Sequence, residues 1–171
     1  MNIQNIQKIE QYAEKIYKYA LMMLKNKEDA EDVMQETLYQ YLSAKKEFIN
    51  EKAESAWLYT VAINLCRNLR KNSWYKKRIN LSEEDFRNLP DDKEVSINDH
   101  AELVEIIRKL PLKYSEVIVL YYYDEFSVPE ISRLLGKNEN TIYSLLSRGR
   151  KKLSEKLKGA DYEEFKNGIR E

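Results

Sequence analysis

The chain has 171 residues, 43% of them apolar, with 29 basic and 29 acidic side chains and a pI near 6.7. That length holds one ordinary domain or two small ones. Zero net charge excludes a uniformly basic nucleic-acid binder, so any basic patch must be local and offset by acid elsewhere. Four glycines and three prolines are too few for a many-stranded β fold, and the single cysteine, Cys66, excludes an intramolecular disulfide. The first residues lack a basic region followed by an apolar run, and no stretch approaches the roughly 18 apolar residues of a membrane span. The expectation is a cytoplasmic protein without membrane insertion.

From Ile3 to Leu24 apolar residues recur at Ile6, Ile9, Ala13, Ile16, Ala20 and Met23, the spacing of an amphipathic helix. A second helix is expected from Glu28 to Ala44, with Ala30, Val33, Met34, Thr37, Leu38 and Tyr41 on its inner face. Lys45 to Glu54 loses the pattern and reads as a polar loop. Ser55 then caps a third helix whose inner face holds Leu58, Val61, Ala62, Leu65 and Leu69.

Between Asn64 and Asn80 the charges are Arg67, Arg70, Lys71, Lys76, Lys77 and Arg78, with no acid among them. From Leu81 the balance reverses through Glu83, Glu84, Asp85, Asp91, Asp92 and Glu94, with Pro90 among them. This marks an acidic linker between two domains, with the boundary near residues 80 to 100. The expected fold class is all-α: two small helical domains joined by an acidic linker, the C-terminal one a helix-turn-helix. Val117 to Tyr123 has strand-like composition, but with no partner strand in sight it is assigned to a buried helix.

Ser127 to Lys158 is the most informative segment. Ser127 and Glu130 have the spacing of a capping box, Pro129 falls in the first turn, and Gly136 stands where a left-handed residue would end the helix. Asn138 or Asn140 can cap the next helix. Its inner side carries Ile142, Leu146, Gly149, Leu153 and Leu157. Its outer side carries Asn140, Ser144, Ser147, Arg148 and Lys151, flanked by Tyr143 and Arg150. Such a second helix fits the DNA major groove, where arginine reads guanine and lysine neutralises phosphate. Taken alone, the pattern also fits an αα-hairpin with a solvated basic face.

The second helix presents Asp32, Gln35, Glu36, Tyr39 and Ser43 as one outer stripe, which by itself also fits a solvated surface. The third presents Thr60, Asn64, Arg67, Asn68 and Lys71, with Trp57 and Trp74 near its ends. Basic and amide groups beside aromatics suit unpaired DNA, because aromatics stack on bases while basic groups hold the backbone. The alternative is an amphipathic helix with tryptophans in the core.

Three segments occur in a specific order: DAEDVMQETLYQYL, then AWLYTVAINLCRNLRKNSWYKKR, then, after the acidic stretch, LPLKYSEVIVLYYYDEFSVPEISRLLGKNENTIYSLLSRGRKKL. In this order, with D-x-x-Q-E at Asp32 to Glu36 and W-L-x-x-x-A-x-N at Trp57 to Asn64, the chain resembles the extracytoplasmic-function (ECF) sigma factors over about residues 10 to 158. The resemblance implies residues 1–80 as sigma region 2, 81–100 as linker and 101–158 as region 4, with no role for the tail 159–171. It implies that Asp32, Gln35, Glu36 and Tyr39 dock on the clamp coiled coil of the largest subunit of RNA polymerase core. The loop from Phe48 to Ser55 and the face bearing Trp57, Asn64, Arg67, Asn68 and Lys71 would open and read the minus-ten element of promoter DNA. Asn140, Thr141, Tyr143, Ser144, Ser147, Arg148 and Lys151 would read the minus-thirty-five element. An anti-sigma factor is an implied partner, and no extra N-terminal domain or third region is expected. Tyr143, where the family commonly has Arg, and Ser147, where it often has a larger residue, depart from the pattern, so a relative's promoter preference does not carry over.

No metal-ligand spacing and no phosphate-binding loop is present, so neither metal nor cofactor is expected. His100, the single histidine, reads as solvated and Cys66 as a core residue, so the chain is not expected to be an enzyme. With no heptad seam, the free protein is expected to be a monomer. Two rivals remain: a stand-alone dimeric helix-turn-helix regulator, and an interaction adaptor without DNA binding.

Overall fold

The computed structural model describes residues 2–72 and 101–157. The chain divides into two compact units, Met1–Ile97 and Asn98–Glu171. Every element among the described residues is helical. The acidic linker, Trp74, His100 and the tail lie outside the described residues.

The first unit is a three-helix bundle of α1 (Ile3–Leu24), α2 (Lys27–Ala44) and α3 (Glu51–Lys71), each packed on the other two. Lys25 takes a left-handed conformation (φ 57°) that stops α1, and the Asn26 side chain accepts the Asp29 amide at 2.9 Å to start α2. Glu28 and Asp29 then lie in the first turn, where carboxylates complement the helix dipole. The core is made by Ile16, Tyr19, Met23 and Leu24 of α1, Ala30 and Val33 of α2, and Leu58, Tyr59, Ala62, Ile63 and Cys66 of α3. Tyr19 and Tyr59 meet edge-to-face at 5.6 Å.

Two expectations for α3 are corrected. Its cap is Asn50, whose Oδ1 accepts the Ala53 amide at 2.8 Å, and Ser55 lies inside the helix. The polar loop is therefore shorter, because the segment from Glu51 to Glu54 forms the first turn and Glu54 turns inward. The inner face is also rotated. Tyr59, Ile63 and Cys66 are buried with Leu58 and Ala62, while Val61, Leu65 and Leu69 are half-buried.

The second unit comprises α4 (Ala101–Lys109), α5 (Leu112–Ile118), α6 (Val128–Leu135) and α7 (Glu139–Lys156). The strand-like run is helical: α5 continues into a π-helical segment, Val119–Tyr123, in which the Asp124 amide reaches the Val119 carbonyl at 3.1 Å. Val117, Ile118, Val119 and Leu120 are buried. The capping box on α6 is complete, with Ser127 and Glu130 satisfying each other's backbone amides. Gly136 ends α6 at φ 64°, a left-handed position that suits glycine, and Asn138 caps α7 through the Thr141 amide at 2.8 Å. Ile142, Leu146, Gly149, Leu153 and Leu157 are buried as expected, joined by Leu145.

Candidate nucleic-acid and partner interfaces

On α7 the residues opposite the core form a continuous exposed face: Asn140, Thr141, Tyr143, Ser144, Ser147, Arg148 and Lys151. Tyr143 is a large side chain left 58% exposed. Because Asn138 is the cap, Asn140 and Thr141 belong to the first turn and point their side chains outward. Arg150 departs from this face. Its guanidinium lies 5.8 and 5.5 Å from the ring centres of Tyr121 and Tyr122, so cation–π contacts hold it against the π-helical segment.

On α2, Asp32, Gln35, Glu36 and Tyr39 are exposed along one stripe, with Tyr39 67% exposed. Glu36 accepts the Gln40 side-chain amide at 2.7 Å. Beside this stripe a cleft of about 310 Å³ opens between α2 and α3, lined by Asp32, Val33, Glu36, Leu65, Asn68 and Leu69. It brings two carboxylates of the α2 stripe beside Asn68 of the α3 face, around an apolar lining of Val33, Leu65 and Leu69. Leu65 and Leu69 are thus outer residues and not the core residues expected. Asn64, Asn68 and Lys71 are exposed and Arg67 is half-buried on the outer side of α3.

Trp57 stands at the other end of α3, in an aromatic cluster. Its ring centre is 5.9 Å from Phe48 and 6.4 Å from Tyr41, and Tyr41 stacks on Phe48 at 6.3 Å and 21°. Under this cluster Glu54 is buried, and its carboxylate accepts Tyr12 Oη at 2.9 Å, accepts Tyr41 Oη, and pairs with Lys8. Burial pushes the Glu54 carboxyl up, but the bonds from Lys8, Tyr41 and Tyr12 outweigh it and hold it below its ordinary value. Burial first, then the Glu54 carboxylate, pushes Tyr41 up to about 12 and raises Tyr12 as well. Sequence patterns placed Tyr41 on the inner face of α2 and Phe48 and Glu54 in the loop before α3, but did not join them into one cluster. Aromatics flanking a break between two helices were the available signal for the first two.

Among the described residues no group of His, Cys, Asp and Glu could hold a metal ion, and no helix is long and apolar enough to cross a membrane. The model for sigma-70 region 2 matches residues 9–75, and that for sigma-70 region 4 matches residues 100–153. The chain is 34% identical over 160 residues to the ECF RNA polymerase sigma factor SigW of Bacillus subtilis (strain 168), covering 86% of this chain and 85% of that protein. The chain belongs to the ECF sigma factors. It is 28% identical to the RNA polymerase sigma factor SigV of the same strain, over 84% of each chain. The sigma factor RpoE of Bartonella quintana, solved in complex with the anti-sigma factor NepR, shares its fold with a TM-score of 0.63. That match covers 92% of this chain and 98% of the other at 22% identity. As a sigma factor the protein directs promoter-specific transcription initiation, and its region 4 is the DNA-binding helix-turn-helix built by α6 and α7.

Proposed function

We propose that the exposed faces divide the work of initiation. The α2 stripe Asp32, Gln35, Glu36 and Tyr39 docks on the clamp coiled coil of the largest subunit of RNA polymerase core. The α3 face, with Trp57, Asn64, Arg67, Asn68 and Lys71, opens and reads the minus-ten element. The α7 face, from Asn140 to Lys151, reads the minus-thirty-five element. The domain limits follow the same division, with region 2 at 1–80, a linker at 81–100 and region 4 at 101–158. The protein works in the cytoplasm as a monomer when free, is held inactive by an anti-sigma factor, and performs no covalent chemistry of its own.

The observation that carries this reading is the α7 face: seven polar or aromatic side chains exposed in one row on a helix whose opposite row is buried. The row offers amide, hydroxyl and guanidinium groups at the spacing a major groove accepts. At the minus-ten element, unstacking a base step costs a few kcal/mol. Stacking extruded bases on aromatics returns about 1–3 kcal/mol each. The cleft beside Asn68 supports a link between the first two tasks, since Asp32 and Glu36 also line it.

Site-specific photocrosslinking in the complete initiation complex tests the assignment. A crosslinking residue at Tyr39 is expected to label the largest polymerase subunit, and one at Tyr143 the minus-thirty-five duplex. Labelling of DNA from Tyr39, or of protein alone from Tyr143, would contradict it.

A further inference from the structure

Tyr143 lies in the second turn of α7, exposed, and makes no hydrogen bond or ring contact among the described residues. A single exposed aromatic needs no explanation in itself. Its surroundings are what set this one apart. The residues that share its side of the helix are short: Asn140 three positions before it and Ser147 four positions after it, both exposed. Arg150, seven positions on, also lies on that side, but its guanidinium is held over the rings of Tyr121 and Tyr122. The Tyr143 ring is thus left uncovered in a row of small polar groups, in the part of a recognition helix that meets base edges.

The chemistry of the major groove limits what the ring can meet. Phosphates are matched by the cations of Arg148 and Lys151 on the same face. Guanine, adenine and cytosine present hydrogen-bond donors and acceptors to the groove, and covering these with an apolar ring leaves them unpaired at a cost. Thymine presents a methyl group there, the one apolar feature among the four base edges. The short side chains of Asn140 and Ser147 leave room for that methyl group beside the ring.

We infer that Tyr143 selects thymine: its ring packs on the 5-methyl group of one thymine in the minus-thirty-five element. The promoters this chain serves therefore carry a thymine at that position. This rests on the assignment of the α7 face to the minus-thirty-five element and adds which base one of its residues chooses, and by what contact.

The test is transcription by polymerase core with the full chain from a promoter library randomised across the minus-thirty-five element. One position is expected to favour thymine roughly fivefold or more. Tyr143→Ala should erase the preference at that position alone, and Tyr143→Phe should keep it. On the selected promoter, deoxyuridine in place of that thymine removes only the methyl group. It should cost the unaltered chain roughly fourfold, the worth of one buried methyl, and cost Tyr143→Ala nothing. At the same position 5-methylcytosine should outperform cytosine by a similar factor. Deoxyuridine serving as well as thymine would overturn the inference. So would equal losses from Tyr143→Ala on every sequence, which would make Tyr143 a backbone contact, or unchanged preferences at every position. If the unaltered chain showed no base preference anywhere in the element, the underlying assignment would fail instead.

Discussion

Tyr12 Oη donates to Glu54 Oε2 at 2.9 Å, tying the middle of α1 to the first turn of α3 across 42 residues of sequence. Tyr41 of α2 and Lys8 of α1 complete the shell, so one buried carboxylate joins all three helices of region 2. Glu54→Gln keeps the shape but sets an amide among three donors. It is expected to cost about 1–3 kcal/mol, the range for disrupting a buried charged hydrogen bond. Urea unfolding followed by tryptophan fluorescence measures it, because Trp57 stands in the aromatic cluster above Glu54.

The same carboxylate gives region 2 an acid limit. Its folded pKa is held below the ordinary value, so its contribution is complete above the unfolded pKa near 4.3 and is lost as pH falls through the folded pKa. At the alkaline end Tyr41, at about 12 in the folded state, contributes stability that is present below about pH 10 and lost above it. Unfolding midpoints of the wild type should therefore drop below about pH 4, and those of Glu54→Gln should drop less.

A methyl group added at Gly149 would stand 2.8 Å from Ile118 Cδ1 and 3.4 Å from Tyr114 Cβ. The Cδ1 atom is a side-chain tip and could yield to alanine, but a branched side chain would press on the helix itself. Gly149→Val is expected to destabilise region 4 by about 2 kcal/mol or more. Far-UV circular dichroism would show the early loss of helix, with the tryptophan transition unmoved.

Glu36 is exposed on α2, and its recorded hydrogen bond is to Gln40 one turn along, so reversing its charge should leave the fold intact. Glu36→Lys is expected to weaken binding to polymerase core by a factor of roughly ten or more, through like-charge or unmatched contact at the docking face. A fluorescence titration of labelled chain with core reads this directly. Unchanged affinity would remove the α2 stripe from the docking surface.

Arg148 is exposed on α7, whereas Arg150 is held against the Tyr121–Tyr122 pair. Arg148→Ala is expected to cost about 1–3 kcal/mol of discrimination between the cognate minus-thirty-five element and a scrambled one. Equal losses on all duplexes would make it a phosphate contact instead.

What was legible in the sequence was local. The Ser127–Glu130 capping box and the Gly136 stop involve residues a few positions apart, and both form as the spacing implied. The inner row of α7 was equally legible because its opposite side is polar throughout. The α3 face was not, because apolar residues run almost around that helix, and periodicity cannot say whether Tyr59 and Ile63 or Leu65 and Leu69 face inward. Glu54 was read as loop because a carboxylate is buried only when distant partners meet it, and Tyr12 and Tyr41 come from two other helices. The cap at Asn50 was missed for the same reason: with Glu54 counted as solvent-facing, the helix had no cause to start before Ser55.

Run-off transcription with core polymerase from a closely matched source, on fragmented genomic DNA with the transcripts sequenced, tests the central claim most directly. The account predicts discrete start sites, each preceded by the same pair of upstream elements, that appear only when the chain is added. No added initiation, together with tight binding of the free protein as a dimer to palindromic DNA, would contradict it and leave a stand-alone regulator in its place.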